Sequence, residues 1–290
     1  MATVVLSPRR RTSRFRGVVR TILLLALLAL VLYPLVWMVG TSFKSPTEIL
    51  SSVSALPREL TPANYSEGWN AQDVAFSRFF LNSTLVALLV VVGNMFSCLL
   101  AAYAFARLRF PLRGFFFALM IGTLLLPAHV LIVPQYILFK AFGWVGGSFP
   151  YLPLFVPHFL AIDAFFVFLM VQFMRGVPRE LDEAAKIDGC SPYGVFWHVI
   201  LPLSRPALVT TAIFSFIWTW NDFFRQLIYL SDIKDYTVPV ALTLFNNGEG
   251  GAHPGAMFAM AVLSLLPVFL FFLAFQRMLV QGINTSGLKG

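Results

Sequence analysis

Charged residues are scarce in this sequence. They make up 12% of its 290 positions, whereas hydrophobic residues make up 58%. Soluble domains carry about 25% charged residues. With a mean hydropathy of +0.79, the chain is too apolar for a water-soluble domain, and its composition predicts an integral membrane protein.

Residues that carry metal or disulfide chemistry are also few. The two cysteines fall in different predicted environments, Cys98 within an apolar segment and Cys190 in a polar loop, so no disulfide is predicted. The four histidines are scattered, without HExxH spacing or a Cys/His cluster. We therefore predict no metal site.

Motifs for nucleotide binding and hydrolysis are missing. The C-terminal GINTSGLKG (282–290) has two glycines at the spacing of a phosphate-binding loop, but Leu288 stands where that loop needs lysine. The sequence has no GxSxG motif and no evident pair of catalytic carboxylates. We expect a chain that is not an enzyme and binds no cofactor itself.

Six mostly apolar segments are each long enough to cross a bilayer, which takes about 20 residues. The first has no small-x-small cleavage site directly after it, so we expect it to be retained as a transmembrane helix. The predicted fold is an all-α integral membrane protein, with a basic tail (1–20) and one transmembrane domain (21–290). The six segments are 21–40, 83–105, 115–136, 152–174, 206–224 and 256–276.

Basic residues lie mainly on one predicted side of the membrane. Fifteen of the 21 lysines and arginines fall in the tail, in the loops after the second and fourth segments, and at the C-terminus. The positive-inside rule then places both termini and the loop 177–205 in the cytoplasm. Arginines beside a span also contact lipid headgroups, so the net charge of +8 does not predict a nucleic-acid partner.

The loop 177–205 contains most of a polar, punctuated stretch, EAAKIDGCSPYGVFWHVILPLSRP (183–206). Acidic residues soon after Pro178 favour a helix start, and Gly189 suits a left-handed helix end. Ser191 can cap a second helix that begins at Pro192, and Pro202 is expected to end it. The stretch predicts a cytoplasmic helix–turn–helix.

The first helix of this loop has a flat face. Leu181, Ala184, Ala185 and Asp188 share it by helical spacing, and carboxylates edge it. Such a face suits a cleft on a partner with basic residues. The alternative is a loop that lies on the lipid headgroups, but an acidic helix suits an anionic leaflet poorly.

These residues carry a resemblance to a known family. Glu183, Ala184, Ala185, Gly189, Leu201 and Pro202 match the EAA loop of importer-type ABC permeases, with Val199 where isoleucine is usual. The stretches 33–49, 62–69, 216–224 and 275–290 are similar to the smaller permease of maltose-type transporters, although the tail NTSGLKG departs from the commoner ending of that family.

The resemblance implies a permease subunit in a plasma (inner) membrane, taking up a sugar or oligosaccharide. Its expected partners are a companion permease, a cytoplasmic ATPase dimer that holds ATP and Mg²⁺, an external solute-binding protein and membrane lipids. The loop would be the coupling helix that transmits ATPase motion to the spans for alternating access. The implied coupling residues are Glu183, Ala184, Ala185, Asp188, Gly189, Leu201 and Pro202.

A translocation path is less directly indicated. Asp163 is charged within the fourth segment, which marks either a functional site or a structural hydrogen bond. A group near the outer end of the fifth segment suits either an aromatic belt or a sugar-stacking rim, namely Trp218, Trp220, Asn221 and Asp222. In maltose-type transporters the substrate site belongs mainly to the companion permease.

The sequence is also compatible with two other classes of protein. One is a membrane-embedded enzyme acting on lipid-linked sugars, which would need several polar groups converging near one interface. The other is a stand-alone channel or secondary transporter. The outer loop 245–256 is either a contact for the solute-binding protein or a plain connector.

Overall fold

The computed structural model describes residues 12–246 and 253–286. Residues 1–11 of the predicted tail, residues 247–252 of the outer loop and residues 287–290 of the NTSGLKG tail lie outside this range. Within it the chain is all-α, without strands. The α-helices are α1 (Thr12–Thr41), α2 (Pro46–Ser51), α3 (Ala63–Asn70), α4 (Phe76–Arg107), α5 (Arg113–Thr123), α6 (Ala128–Ala141), α7 (Leu152–Phe155), α8 (Ala164–Arg175), α9 (Glu180–Ile187), α10 (Pro192–Val195), α11 (Leu201–Leu203), α12 (Arg205–Trp220), α13 (Phe224–Tyr229), α14 (Val238–Ala241) and α15 (Pro254–Ser286).

Four stretches in the described residues are long and apolar enough to span a membrane by themselves. Two further pairs of helices qualify if each bent pair is counted as one span, α5 with α6 at 102° and Pro192–Leu203 with α12 at 70°. The chain is therefore a multi-pass membrane protein with four to six spans. The four long spans are Arg16–Thr41, Phe76–Arg107, Leu152–Arg175 and Pro254–Met278.

The predicted third segment, 115–136, is not one straight helix. It breaks between Thr123 and Ala128, and Pro127 sits at the break in extended conformation. A proline has no N–H for the helical ladder and disfavours helical conformation in the residue before it. The segment therefore has the predicted apolar length but consists of two helices bent by 102°, which together can form one span.

The fourth segment is also interrupted. After α7 comes a 3-10 helix (Val156–Leu160), then Ala161 with φ 56°, and α8 starts only at Ala164. Asp163 therefore precedes the first turn of α8 and does not lie within a regular helix. The fifth segment ends early, because α12 stops at Trp220 and the chain turns at Asn221.

The centre of the fold is α4, against which α8 and α12 pack, and α15 packs on α12. By contrast, α1 is exposed along most of its span, and only Gly40 and Thr41 at the end of the span are buried. Its contacts are concentrated at one end, where the Trp37 ring lies edge-on to Phe258 of α15 and the indole N–H donates to Val53 O at 3.2 Å. A helix that is apolar all round suits a lipid environment.

Two short helices occupy the loop 177–205. Gly189 follows α9 with φ 86°, a left-handed conformation that glycine adopts without a Cβ penalty. Ser191 Oγ accepts from Gly194 N at 3.2 Å and caps α10. The predicted end at Pro202 is wrong, because the chain passes through a π turn (Phe196–Ile200) into α11 and breaks only at Ser204. The backbone N–H of Leu201 donates to Phe196 O, five residues earlier. This i→i−5 hydrogen bond stands directly before Pro202 in place of the i→i−4 bond of a regular α-helix.

Candidate functional site

The helix α9 presents different residues to the protein and to the outside. Asp182 and Ala185 are buried, whereas Leu181, Ala184 and Asp188 are exposed. Residues 181, 184 and 188 share one face at i, i+3 and i+7. The prediction that Ala185 belongs to this outer face is therefore wrong. Its small side chain instead permits close packing of α9 against the membrane domain.

A buried ion pair attaches α9 to the end of α4. Arg107 Nε lies 3.4 Å from Asp182 Oδ2, with 4% and 10% of the two side chains exposed. The same guanidinium donates from Nη2 to Val177 O at 2.8 Å. Tyr103, one turn earlier on α4, donates to Pro192 O at 2.8 Å. Both helices of the loop are thus held by one helix of the membrane domain.

The outer surface of the loop combines acidic and large apolar groups. Ile187 is 86% exposed and Tyr193 is 80% exposed. Glu183 is exposed on α9 as well. Of the remaining predicted coupling residues, Leu201 is partly buried in the core and Pro202 is exposed. Aromatic residues flanked by charges are typical of protein contact surfaces.

A second polar region is a cavity of about 400 Å³, here called the central cavity. It extends from Asn94 in the middle of α4 to the end of α12 remote from the loop 177–205. Asp163, Trp218, Asn221 and Asp222 line it, as do several polar residues that were not predicted from the sequence. Those are Asn94, His129, His158, Ser215, Thr219, Arg225 and Gln226.

Trp220 does not belong to the cavity lining. It is 3% exposed, its ring stacks on Phe216 at 5.6 Å, and its indole N–H donates to Ser264 O of α15 at 3.1 Å. Both readings of this residue from sequence, a belt residue and a rim residue, are wrong. Two positions along a helix turn the side chain by about 200°, which places Trp220 in the core and Trp218 at the cavity.

Asp163 is fixed by a histidine from its own segment. His158 Nδ1 lies 2.6 Å from Asp163 Oδ2, and the carboxylate remains 27% exposed. The backbone of His158 is held in turn, because Ser97 Oγ on α4 donates to His158 O at 2.7 Å. Asn94 Nδ2 donates to Ser215 Oγ at 3.0 Å and connects α4 with α12. The lone polar residues within apolar segments were the available sequence signal for this network.

The end of the cavity is built by the turn after α12. Asn221 Nδ2 donates to Ile217 O at 2.7 Å, so its Oδ1 is not used in that bond. Asp222 Oδ1 accepts from the backbone N–H of Arg225 at 3.2 Å, and Oδ2 lies 3.5 Å from Arg225 Nε. Gln226 Nε2 donates to Thr219 O at 2.8 Å. These local bonds hold the polar turn in one conformation.

The part of the chain that the structure describes contains no group of three His, Cys, Asp or Glu residues placed to hold a metal ion. The cavity lies between helices, and hydrogen-bonding and charged side chains line it. Their arrangement can bind and orient a polar solute.

The helical bundle, with its polar loop and its cavity between spans, has the features of a multi-pass transport permease. Residues 93–285 match the family described as binding-protein-dependent transport system inner membrane component. The chain belongs to this family, and it is a multi-pass protein of the inner (plasma) membrane. The family consists of permease subunits of ABC importers, as the EAA-loop resemblance implied.

Similar proteins support this membership. The chain is 33% identical over 283 residues to the probable ABC transporter permease protein YurM of Bacillus subtilis, covering 98% of this chain and 92% of that protein. It is 31% identical to the trehalose/maltose transport system permease protein MalG of Thermococcus litoralis, covering 89% and 92%. The fold matches that of a bacterial ABC transporter involved in the import of the acidic polysaccharide alginate, with a TM-score of 0.79, 21% identity, and 94% and 99% coverage.

Proposed function

We propose that this chain is a permease subunit of an ATP-driven importer for a sugar or oligosaccharide. Its relatives of similar length include a trehalose/maltose permease, and the matched alginate transporter shares its fold. The family name implies delivery by a binding protein. The expected companions are a second permease, an ATPase dimer carrying ATP and Mg²⁺, and an external solute-binding protein.

The observation that carries the coupling role is the attachment of the loop 177–205 to α4. A contact that merely covers lipid headgroups needs no fixed geometry. Here an ion pair with both side chains at most 10% exposed and two hydrogen bonds of 2.8 Å fix the loop to one helix. Buried charged contacts of this kind favour one defined arrangement over a mobile one.

The outer face of the loop suits a protein partner. Glu183 and Asp188 supply negative charge, and Ile187 and Tyr193 supply exposed apolar surface. A groove with basic rims and an apolar floor would complement both properties. We infer that an ATPase subunit offers such a groove, and that the loop transmits its movement to the membrane domain.

The route of transmission is short. One end of the loop continues directly into α12, with only Ser204 between α11 and α12. The other attachment is α4, and α4 and α12 pack together along the core. Both helices also line the central cavity. Displacement of the loop would thus move two cavity walls, as alternating access requires.

Purification of the tagged chain from native membranes tests the proposal. We expect an ATPase and a second permease to co-purify in fixed stoichiometry. In proteoliposomes the complex should hydrolyse ATP faster when saccharide-loaded binding protein is added, and saccharide should accumulate inside. A chain that purifies without an ATPase and transports solute without ATP would contradict the proposal and favour a secondary carrier. Conversion of a lipid-linked sugar would favour an enzyme.

A further inference from the structure

The resemblance to maltose-type transporters places the substrate site mainly in the companion permease, yet this chain has a built polar cavity of its own. Three residues with free polar or aromatic surface, Asp163, Trp218 and Asn221, come together there from two interrupted spans. We propose that the central cavity is a saccharide-binding subsite that selects uncharged sugars over acidic ones. This inference rests on the proposed transport function and assigns a substrate class to it.

Trp218 supplies a flat apolar surface for a sugar ring. Its indole is stacked on Phe166, with centroids 5.2 Å apart and planes at 29°. Phe165 and Phe214 also contact the ring, so its plane is fixed by neighbours on two helices. Trp218 remains 49% exposed. An exposed, immobilised indole can receive the C–H face of a pyranose at little cost in side-chain entropy.

Three polar side chains of the cavity offer acceptor oxygens to a ligand. Asp163 has one oxygen at His158, and its carboxylate remains 27% exposed. Asn221 uses its amide N–H₂ towards Ile217 O, which leaves Oδ1 as an acceptor. Asp222 adds a second carboxylate at the end of the cavity. Hydroxyl groups donate to such acceptors, and carboxylate acceptors give the stronger hydrogen bonds.

The charge of the cavity opposes an anionic ligand. Among the described residues that line it, Arg225 alone carries a permanent positive charge, and it lies beside Asp222. Apart from the two histidines, the charged groups of the lining are two carboxylates, Asp163 and Asp222, and one guanidinium. A uronic acid would bring a further negative charge near Asp163 and Asp222, and the one guanidinium of the described lining already lies 3.5 Å from Asp222. Such a juxtaposition of like charges is unfavourable in a partly dehydrated site. An uncharged saccharide brings no such like-charge repulsion into the cavity.

The test uses the complete importer in proteoliposomes, with its companion permease, ATPase and binding protein. The probes are the neutral saccharides maltose, trehalose, cellobiose and maltotriose, and the acidic digalacturonate and alginate disaccharide. Uptake and saccharide-stimulated ATP hydrolysis are measured for each. We expect one or more neutral saccharides to be transported and both acidic ones to be rejected.

Substitutions of residues that line the cavity test whether the preference for neutral saccharides arises there. Asp163→Asn and Trp218→Ala should each raise the half-saturating concentration of the neutral substrate about tenfold, which is the effect of losing one good polar or stacking contact. Trp218→Phe should restore most of the affinity. Asp222→Asn frees Arg225 from its carboxylate, so uptake of the acidic probes relative to the neutral one should rise about tenfold.

Two matched controls do not line the cavity. Phe223 is an aromatic residue beside Asp222 with 37% exposure, and Phe223→Ala should leave the half-saturating concentration unchanged. Asp232 is an exposed acid whose pKa is lowered by the hydrogen bond from Lys234. Asp232→Asn should likewise leave the preference for neutral over acidic probes unchanged.

The measurements distinguish failure of the subsite inference from failure of the proposed importer function. If an acidic saccharide is transported as well as the neutral ones, or if the cavity variants behave like Phe223→Ala and Asp232→Asn, the subsite inference is overturned while the importer function stands. If no saccharide is transported by the assembled complex or stimulates its ATP hydrolysis, the proposed function falls, and the inference falls with it.

Discussion

Arg107 and Asp182 form a buried ion pair between the end of α4 and the first helix of the loop 177–205. The two residues are 75 positions apart, and neither belongs to the EAA pattern itself. Removal of one partner leaves the other charge buried and uncompensated, which typically costs about 3–5 kcal/mol. Substitution of either residue can therefore test how the loop is attached to the membrane domain.

Arg107→Ala and Asp182→Ala should each reduce uptake per ATP hydrolysed. We expect the double variant to lose less than the sum of the two single effects, because no uncompensated charge remains. Uptake and ATP hydrolysis in proteoliposomes, at matched complex levels, give the double-mutant cycle. Arg109 is an exposed neighbour on the same side, so Arg109→Ala is the control. Strict additivity would show that the pair does not position the loop.

Gly189→Pro should be the most damaging single change within the loop. Proline fixes φ near −65° and cannot adopt the φ of 86° seen at this position. Gly189→Ala should be milder, with a cost of about 1–2 kcal/mol, because a Cβ there meets no atom within 4 Å and only the left-handed backbone is strained. Saccharide-stimulated ATP hydrolysis and uptake report the effect.

Gly114→Pro is the matched control for this substitution. Gly114 is the second residue of α5, where the first turn tolerates proline, and a side chain there meets nothing within 4 Å. If Gly189→Pro retains the transport rate of Gly114→Pro, the bend between α9 and α10 has no part in coupling.

Glu183→Lys should impair assembly with the ATPase more than Glu183→Ala does. The lysine would replace attraction by repulsion if the partner groove is basic, whereas alanine removes only the attraction. The amount of ATPase retained on the purified permease complex, at low and high salt, measures the difference. Glu67→Lys, at an exposed position on α3, is the control. Equal ATPase retention in Glu183→Lys and wild type would contradict an acidic docking contact.

Thiol labelling tests the orientation that the positive-inside rule predicts. In a Cys98→Ser background, a membrane-impermeant thiol reagent added to intact cells should not label Cys190. A cysteine introduced by Asp232→Cys, in an exposed segment after α13, should be labelled. After membrane permeabilisation both should react. Labelling of Cys190 in intact cells would reverse the topology and remove the basis for an ATPase contact.

Features of the fold that depend on local chemistry could be predicted from the sequence. The apolar lengths predicted the four long spans, and Gly189 and Ser191 marked the turn between two helices, because positive φ and capping depend on neighbouring backbone groups. The ion pair of Arg107 with Asp182 could not be predicted, since a contact across 75 positions depends on how α4 and α9 pack.

In the candidate site, too, some residues could be predicted from the sequence and others depend on how the helices pack. Asp163 stood out as a charge within an apolar segment, and it does line the cavity. Trp218 and Trp220 could not be told apart, because only the packing of α12 on α15 decides which indole is buried. The break around Ala161 was also missed, since no proline or glycine occupies positions 161–163.

The first helix, α1, touches the rest of the protein almost entirely at one end, near Trp37. Little of the free energy that holds the core together depends on the remaining length, which needs only to be apolar. Substitutions among leucine, isoleucine, valine and phenylalanine along 21–35 should therefore be nearly neutral over evolutionary time. A helix with this freedom can enter the bilayer as a separate unit before the other spans assemble around α4.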